Sequence, residues 1–196
     1  MAAEQDAAAR TAWRQQIAAV DPRTLVFLDE TSTQTILTRT RGRAPRGQRV
    51  VAQIPRNHGH NVTCLAAITP DGITEPLVFE GAVDGPLFAQ WLTDRLLPAV
   101  GQGHVLVLDN LSVHKNAAAR AAVEAAGCQL CFLPAYSPDV NPIELIFSQL
   151  KTHLRGAAAR TFDRLVDAIG AAFDRITAAD IQACFRHCGY ALASPQ

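Results

Sequence analysis

Residues 105–150 read VLVLDNLSVHKNAAARAAVEAAGCQLCFLPAYSPDVNPIELIFSQL, and this stretch decides the fold. It opens with a short apolar run that ends in Asp109, and a second apolar run at 129–133 follows an alanine-rich helical pattern. Pro142 then starts an amphipathic helix that carries Glu144 in its first turn. Because strands that alternate with helices pair in parallel, this stretch predicts two neighbouring parallel strands covered by helices.

The first half of the chain adds three more strand patterns. The apolar run LVFL at 25–28 predicts a buried strand, and 61–68 and 73–79 predict a hairpin around a turn at 70–72. These three strands can be antiparallel neighbours, and the two later strands can add in parallel beside the first. We therefore predict an α/β fold of the ribonuclease H type: a mixed five-stranded sheet with helices on both faces and extra C-terminal helices.

Length and composition indicate one main domain. The chain has 196 residues, of which 48% are hydrophobic, enough for a sizeable core. We expect a loosely docked N-terminal helical segment at 1–22, the main domain at 23–190 and a tail at 191–196. The sequence shows no apolar run of bilayer length and no signal-peptide pattern at its start, and five cysteines argue for reduced thiols, so a cytoplasmic location is expected.

Positive charge is concentrated in one segment, although Lys+Arg and Asp+Glu number 18 each. No acidic residue occurs from Thr31 to Pro70, and the part from Thr31 to His60 is predicted to be a long loop with a short strand at 49–54. The segment carries Arg39, Arg41, Arg43, Arg46, Arg49 and Arg56. This pattern favours local contact with a polyanion, and a solvated loop is the alternative.

Three acids are predicted to share one edge of the sheet. Asp29 and Asp109 each follow a strand, and the carboxyl ends of these two strands are neighbours in the predicted order. Glu144 lies on the polar face of the helix expected to pack over that edge. Three carboxylates suit Mg²⁺ or Mn²⁺, and two such ions about 3.5 to 4 Å apart can serve in-line displacement at phosphorus.

Each acid also has a structural explanation. Asp109 can simply end a strand. Asn141 and Glu144 around Pro142 fit a capping box, which would occupy the Glu144 side chain. Glu30 could replace Asp29, since alternation sends only one of the two toward the site. Histidine at the position of His114 is more often a surface or capping residue than a ligand.

The cysteines offer a rival metal site. Cys128-x-x-Cys131 and the pair Cys184 and Cys188 near His187 have zinc-like spacing. However, odd spacing in a strand sends the first pair to opposite faces, and the second pair lies on a predicted core face. Buried thiols are therefore the favoured interpretation.

Four motifs together resemble a known family. They are LVFLDETS at 25–32, RGRAPRGQRV at 41–50, VLVLDNLSVHK at 105–115 and LPAYSPDVNPIELIFSQLK at 133–151. In this combination the chain resembles, over residues 23–190, the catalytic domain of mariner-like bacterial insertion-sequence transposases, members of the DDE superfamily. Many relatives carry Trp where this chain has Phe147, which is a tolerable exchange on an apolar face.

The resemblance implies a set of residue roles. Asp29, Asp109 and Glu144 would be the catalytic, metal-binding triad, with Mg²⁺ or Mn²⁺ as two ions. Supporting roles would fall to Asn110, His114 and Asn141. The arginine segment would reach a partner subunit and DNA. The residues expected to bind DNA are Arg39, Arg41, Arg43, Arg46, Arg49, Lys151 and Arg155.

The implied activity is DNA transposition: hydrolytic nicking, then attack of the freed 3′-hydroxyl on target DNA without a covalent protein intermediate. The implied partners are the element's ends, target DNA and a second copy of the chain. Because only about twenty residues precede the first strand, the resemblance implies that the helix-turn-helix half that recognises the ends is separately encoded or has been lost. No membrane partner is expected. The protein would then be cytoplasmic and nucleoid-associated. The alternatives are a catalytically silent DNA-binding remnant and a ribonuclease H-like nuclease with another substrate.

Overall fold

A computed structural model describes residues 6–56 and 59–192 of the chain. Residues 1–5 of the predicted N-terminal segment and 193–196 of the predicted tail lie outside the described residues. Within the described part, no helix is both long and apolar enough to cross a membrane.

Five strands form one mixed sheet in the order β3-β2-β1-β4-β5. The first strand is antiparallel to the second, and the second to the third, whereas β1–β4 and β4–β5 are parallel pairs. This arrangement confirms the predicted sheet. The strands are β1 (Leu25–Gln34), β2 (Asn61–Thr69), β3 (Gly72–Glu80), β4 (Val105–Leu108) and β5 (Gln129–Phe132).

Helices cover both faces of the sheet, because side chains alternate along its buried strands. Leu25 and Phe27 of β1 pack in one core with the first and the last three helices, and Val26 and Leu28 pack in a second core with the middle helices. The helices are α1 (Ala7–Ile17), α2 (Gly85–Trp91), α3 (Leu97–Val100), α4 (Ala117–Ala125), α5 (Pro142–Ala157), α6 (Phe162–Phe173) and α7 (Ala178–His187).

Three local predictions were wrong. The first strand does not stop at residue 28, because antiparallel pairing with β2 extends it to Gln34. The apolar spacing at 84–97 predicts a helix that ends at Pro98, but the helix continues through a π-helical turn at Leu92–Leu96 into α3. Pro98 lies in the first turn of α3, where its missing N–H costs least. Residues 49–54 form no strand; they are exposed and have no sheet partner.

The expectation of a loosely docked first helix was also wrong. Trp13 and Ile17 on α1 are only 6% and 8% exposed and belong to the core that contains α5. The Trp13 ring meets the Tyr190 ring edge-on, with centroids 6.1 Å apart. The N-terminal helix is therefore packed into the core that contains α5, α6 and α7.

Candidate active site

Parallel pairing of β1 with β4 brings the two aspartates to the same level. Phe27 is the register partner of Val107, so two residues further along each chain Asp29 lies beside Asp109. Both side chains line a cavity of about 410 Å³, and Glu144 of α5 lines it as well. Asn110 and Asn141 complete its polar wall. The structure thus brings the three predicted acids and two of the three predicted supporting residues to one cavity.

Asp29, rather than Glu30, faces this cavity. Asp29 is 7% exposed and accepts hydrogen bonds from the Asn141 side chain (Nδ2 to Oδ2, 2.9 Å) and from the Glu30 backbone (N to Oδ1, 2.8 Å). Burial, together with the negative charges of Asp109, Glu144 and Glu30, raises the pKa of Asp29 to about 8. Asp29 therefore lies near three other carboxylates, and both groups that donate hydrogen bonds to it are uncharged.

Glu144 is not held in a capping box, so that structural explanation is wrong. Asn141 stands at the N-cap of α5, but its side chain makes no capping hydrogen bond and instead reaches Asp29. The backbone N–H of Glu144 bonds to the Asn141 carbonyl oxygen, and its side chain lies in an exposed position at the cavity wall. The first turn of α5 therefore places Glu144 at the cavity, and Asn141, which precedes the helix, orients Asp29.

His114 is a buried link between two acids, not the surface or capping residue that its position favours. Its side chain is 0% exposed; Nδ1 lies 2.6 Å from Asp109 Oδ1, and Nε2 lies 3.1 Å from Glu30 Oε2. The Phe88 ring packs against the imidazole with centroids 4.7 Å apart. Although burial lowers the pKa of His114, the hydrogen bonds to Asp109 and Glu30 outweigh it and raise the pKa to about 9.

The donor atoms of the cavity suit a hard divalent cation. Carboxylate and amide oxygens are the ligands that Mg²⁺ and Mn²⁺ prefer, and the Asn141 Oδ1 atom is buried without a hydrogen-bond partner in the described structure. Across residues 6–56 and 59–192, however, no three His, Cys, Asp or Glu side chains are close enough to hold one ion. The three acids share a cavity, and their oxygens are not drawn together around a single point.

The rival zinc site is not formed. All five cysteines are free, and the thiols of Cys64, Cys128, Cys131 and Cys184 are buried. Cys128 belongs to one core and Cys131 to the other, as their spacing predicts. These cysteines are core residues.

The arginine arm, defined here as residues 38–56, is a loop without regular structure in which every arginine is exposed. Its side chains include three exposed apolar ones: Val50, Val51 and Ile54. Arg39 lies beside Gly156 near the end of α5, not at the acid cavity. The other two cations predicted to bind DNA, Lys151 and Arg155, are half-buried on α5.

The base of the arm is fixed to the domain. One guanidinium nitrogen of Arg160, Nη1, donates to the carbonyl oxygens of Thr35 (3.1 Å) and Leu37 (2.9 Å). On the returning side, the His60 backbone N–H bonds to Thr35 Oγ1 (3.2 Å). A Cβ at Gly59 would lie 2.7 Å from that same oxygen, so only glycine permits this approach.

The cavity is also lined by residues that the sequence analysis did not single out, among them Tyr136 and Leu111. Tyr136 lines the cavity in the loop before α5 with its backbone at φ +54°, and its residue surface is 60% exposed. Leu111, 47% exposed, lines the cavity beside Asn110. An aromatic residue between two prolines close to a predicted site was the available signal for Tyr136.

Comparisons with known proteins agree with this architecture. Residues 24–166 match the family model described as DDE superfamily endonuclease. A search of curated protein sequences found no significant match.

Solved structures of Mos1 transposase share the fold. A paired-end complex with the left transposon end superposes with a TM-score of 0.75 at 16% identity, covering 92% of this chain and 56% of that one. The Mos1 mariner catalytic domain gives 0.68 at 13% identity, covering 96% and 88%. A mariner paired-end complex with Mn gives 0.69 at 15%, covering 92% and 56%. The likeness establishes the ribonuclease H-like fold, and this chain spans about half the length of the Mos1 chains in the DNA complexes.

Proposed function

The chain belongs to the DDE superfamily of endonucleases, and from that premise we propose that it is the catalytic domain of a DNA transposase, which cuts and joins DNA strands by in-line phosphoryl transfer. The observation that carries the proposal is the meeting of Asp29, Asp109 and Glu144 at one cavity on the sheet edge. Like charges that meet beside the buried Asp29 are costly unless a cation compensates them.

In this proposal the three acids hold divalent metal, Mg²⁺ or Mn²⁺, as two ions. When bound, such ions activate an attacking oxygen and stabilise a leaving oxygen at phosphorus. The chain's own groups set the ligands in place: Asn141 orients Asp29, and His114 orients Asp109 through its Nδ1 atom. A water oxygen would attack the scissile phosphorus and release a 3′-hydroxyl, and that hydroxyl would then attack a phosphorus of the target strand, displacing its 3′-oxygen.

We assign DNA contact to the arginine arm and to Lys151 and Arg155. Six exposed arginines in a segment without acids provide the phosphate contacts that dominate DNA affinity. The Mos1 structure with the left transposon end is a paired-end complex, which supports a second copy of this chain as partner. Recognition of the element's ends would fall to a separately encoded helix-turn-helix half, and the protein would act on cytoplasmic DNA at the nucleoid.

The test is a nicking and joining assay on supercoiled plasmid. We expect nicking with Mn²⁺ or Mg²⁺, and joining of a labelled oligonucleotide to the plasmid only if the oligonucleotide ends in a 3′-hydroxyl and not in a dideoxynucleotide. Asp29→Asn, Asp109→Asn and Glu144→Gln should each abolish both steps while the fold, followed by circular dichroism, persists. Full activity in any one of these variants would contradict the proposed site.

The same assay separates the alternatives. Cleavage of an RNA–DNA hybrid without joining would favour a nuclease of the same fold. Plasmid binding without nicking in either metal would favour a silent DNA-binding remnant.

A further inference from the structure

The two ends of the described chain meet at one short turn. This turn, Pro138–Val140, is a single 3₁₀ segment directly before Asn141 and α5. From α1, the Arg10 guanidinium donates two parallel hydrogen bonds to Asp139, Nη1 to Oδ1 at 2.8 Å and Nη2 to Oδ2 at 2.6 Å. From the segment after α7, the Tyr190 hydroxyl donates to the Val140 carbonyl oxygen at 2.6 Å.

The Pro138–Val140 turn lies next to residues that line the acid cavity. Asn141 follows Val140 directly and bonds to Asp29, and Glu144 follows in the first turn of α5. The turn's own backbone bonds are few: Val140 N–H to the Ser137 oxygen at 3.2 Å and Asn141 N–H to the Pro138 oxygen at 3.1 Å. A small shift of this turn would therefore move both the Asn141 amide, which orients Asp29, and the Glu144 carboxylate.

Tyr190 connects the turn to the strand that carries Asp29. Tyr190 is 4% exposed, and its ring lies 4.9 Å from the ring of Phe27, two residues before Asp29 in β1. The Trp13 ring of α1 meets Tyr190 on another side. One buried phenol thus packs against β1 and α1 while its hydroxyl fixes the turn, so the spacing between Asp29 and Asn141 depends on it.

The Arg10–Asp139 ion pair is expected to fix the position of the turn and to add little to the free energy of unfolding. Its side chains are 18% and 53% exposed, and ion pairs at the surface contribute little to folding. A bidentate guanidinium–carboxylate contact nevertheless fixes direction as well as distance. Its effect should therefore appear at the turn and not in the global stability.

We propose that Arg10 and Tyr190 are positioning residues of the acid cavity, which fix the Pro138–Val140 turn so that Asn141 holds Asp29 and Glu144 faces the same space. Neither residue lines the cavity. The catalytic consequence rests on the proposed function, whereas the mechanical link from α1 and Tyr190 to the turn does not.

The experiment compares Arg10→Met and Tyr190→Phe with a matched control, Arg95→Met. The control breaks an ion pair of similar length, Arg95 Nε to Glu75 Oε2 at 2.9 Å, whose residues do not line the acid cavity. Amide hydrogen exchange over residues 137–146 is measured in the metal-free protein, and Mn²⁺ affinity is measured by calorimetry. Plasmid nicking is measured under conditions that separate kcat from DNA affinity.

We expect each turn variant to speed exchange at Val140, Asn141 and Glu144 by about 5-fold to 10-fold, the scale of one lost hydrogen bond. Mn²⁺ affinity and kcat should fall by a similar factor, with DNA affinity unchanged, and Arg95→Met should match the wild type in all three. Exchanging the pair, Arg10→Asp with Asp139→Arg, should recover part of the loss.

Exchange at the turn equal to that of the wild type in both variants would overturn the proposal, whatever happens to the melting temperature. A wild-type protein that never nicks DNA would reject the proposed function instead, and the exchange and Mn²⁺ measurements would still decide the positioning role.

Discussion

The acid cavity and the arginine arm depend on different forces. At the cavity, Asp29 and Asn141 are 7% and 2% exposed and are hydrogen-bonded to each other. Behind it, His114 is 1% exposed and is bonded to Asp109. Along the arm every arginine is exposed, and no described residue from 38 to 56 belongs to a helix or strand. Burial therefore fixes the geometry of the cavity, whereas the arginines of the arm remain exposed and available for contact.

This difference separates two kinds of mutation. Changes at the cavity should alter chemistry and internal electrostatics with little effect on DNA affinity. Changes on the arm should alter DNA affinity with little effect on the folded domain.

The largest effect on DNA affinity is expected from the arm. Changing Arg41, Arg43 and Arg46 together to glutamine should weaken DNA binding by about 10-fold or more at low salt and reduce the slope of log affinity against log salt by about 2.7, since each phosphate contact contributes about 0.9. Fluorescence anisotropy with a labelled duplex over a range of salt measures both.

The matched control removes the same charge elsewhere: Arg23, Arg120 and Arg164, all exposed, changed together to glutamine. A control that loses as much salt dependence as the arm variant would show that the arm acts only through net charge. An unchanged melting temperature in both variants is part of the expectation.

At the cavity, the expected effect is on the pH dependence of stability and not on DNA affinity. Because folding raises the pKa of Asp29 to about 8, the folded state holds this proton more tightly than the unfolded chain does. The stability of the metal-free protein is therefore full at pH values below the ordinary aspartate pKa and is lost as pH rises toward 8. Asp29→Asn should remove that loss and stabilise the metal-free protein at pH 8 by about 1–3 kcal/mol.

Thermal unfolding between pH 5 and 8 measures this effect, with Asp71→Asn, an exposed acid at the β2–β3 turn, as control. Saturating Mn²⁺ should raise the melting temperature of the wild type and not that of Asp29→Asn. The pKa of His114 is also raised, to about 9. The stability that this shift adds is lost as the pH rises from the ordinary histidine pKa through 9. Because His114 is present in both proteins, this loss is the same in both. Parallel pH profiles for wild type and Asp29→Asn would contradict the electrostatic account of the cavity.

The smallest effect is expected where the arm joins the domain. Arg160→Met removes the two hydrogen bonds from Nη1 to Thr35 and Leu37, which should cost about 1 kcal/mol of stability and weaken DNA binding about 2-fold to 5-fold. Arg164→Met on α6 is the neighbouring control. Lost stability without any change in DNA affinity would limit Arg160 to a structural role.

Much of this architecture was predictable because local patterns agree with the final fold. Buried runs at Leu25 and Val105, each followed by an acid, fix the two central strands, and their parallel pairing carries Asp29 to Asp109. Side-chain alternation predicts that only one of Asp29 and Glu30 faces the site, and helical spacing puts Glu144 on a polar face. The structure shows that Asp29 is the one that lines the cavity.

The remainder depends on contacts between distant segments. His114 is buried because Glu30 and Phe88 close around it, and neither is near it in sequence. Trp13 packs firmly because Tyr190 arrives from the other end of the chain. The path of the arm follows from no burial pattern at all, which is why a strand expected at 49–54 is absent.

The most direct test of the central claim is anomalous diffraction from crystals grown with Mn²⁺ at a concentration that supports nicking. The account predicts Mn²⁺ peaks inside the acid cavity, with oxygens of Asp29, Asp109 and Glu144 among the ligands at about 2.0–2.6 Å, and loss of these peaks in Asp109→Asn. If the protein nicks DNA under the same conditions but its crystals show Mn²⁺ peaks only outside the acid cavity, or no peaks at all, the central claim is contradicted.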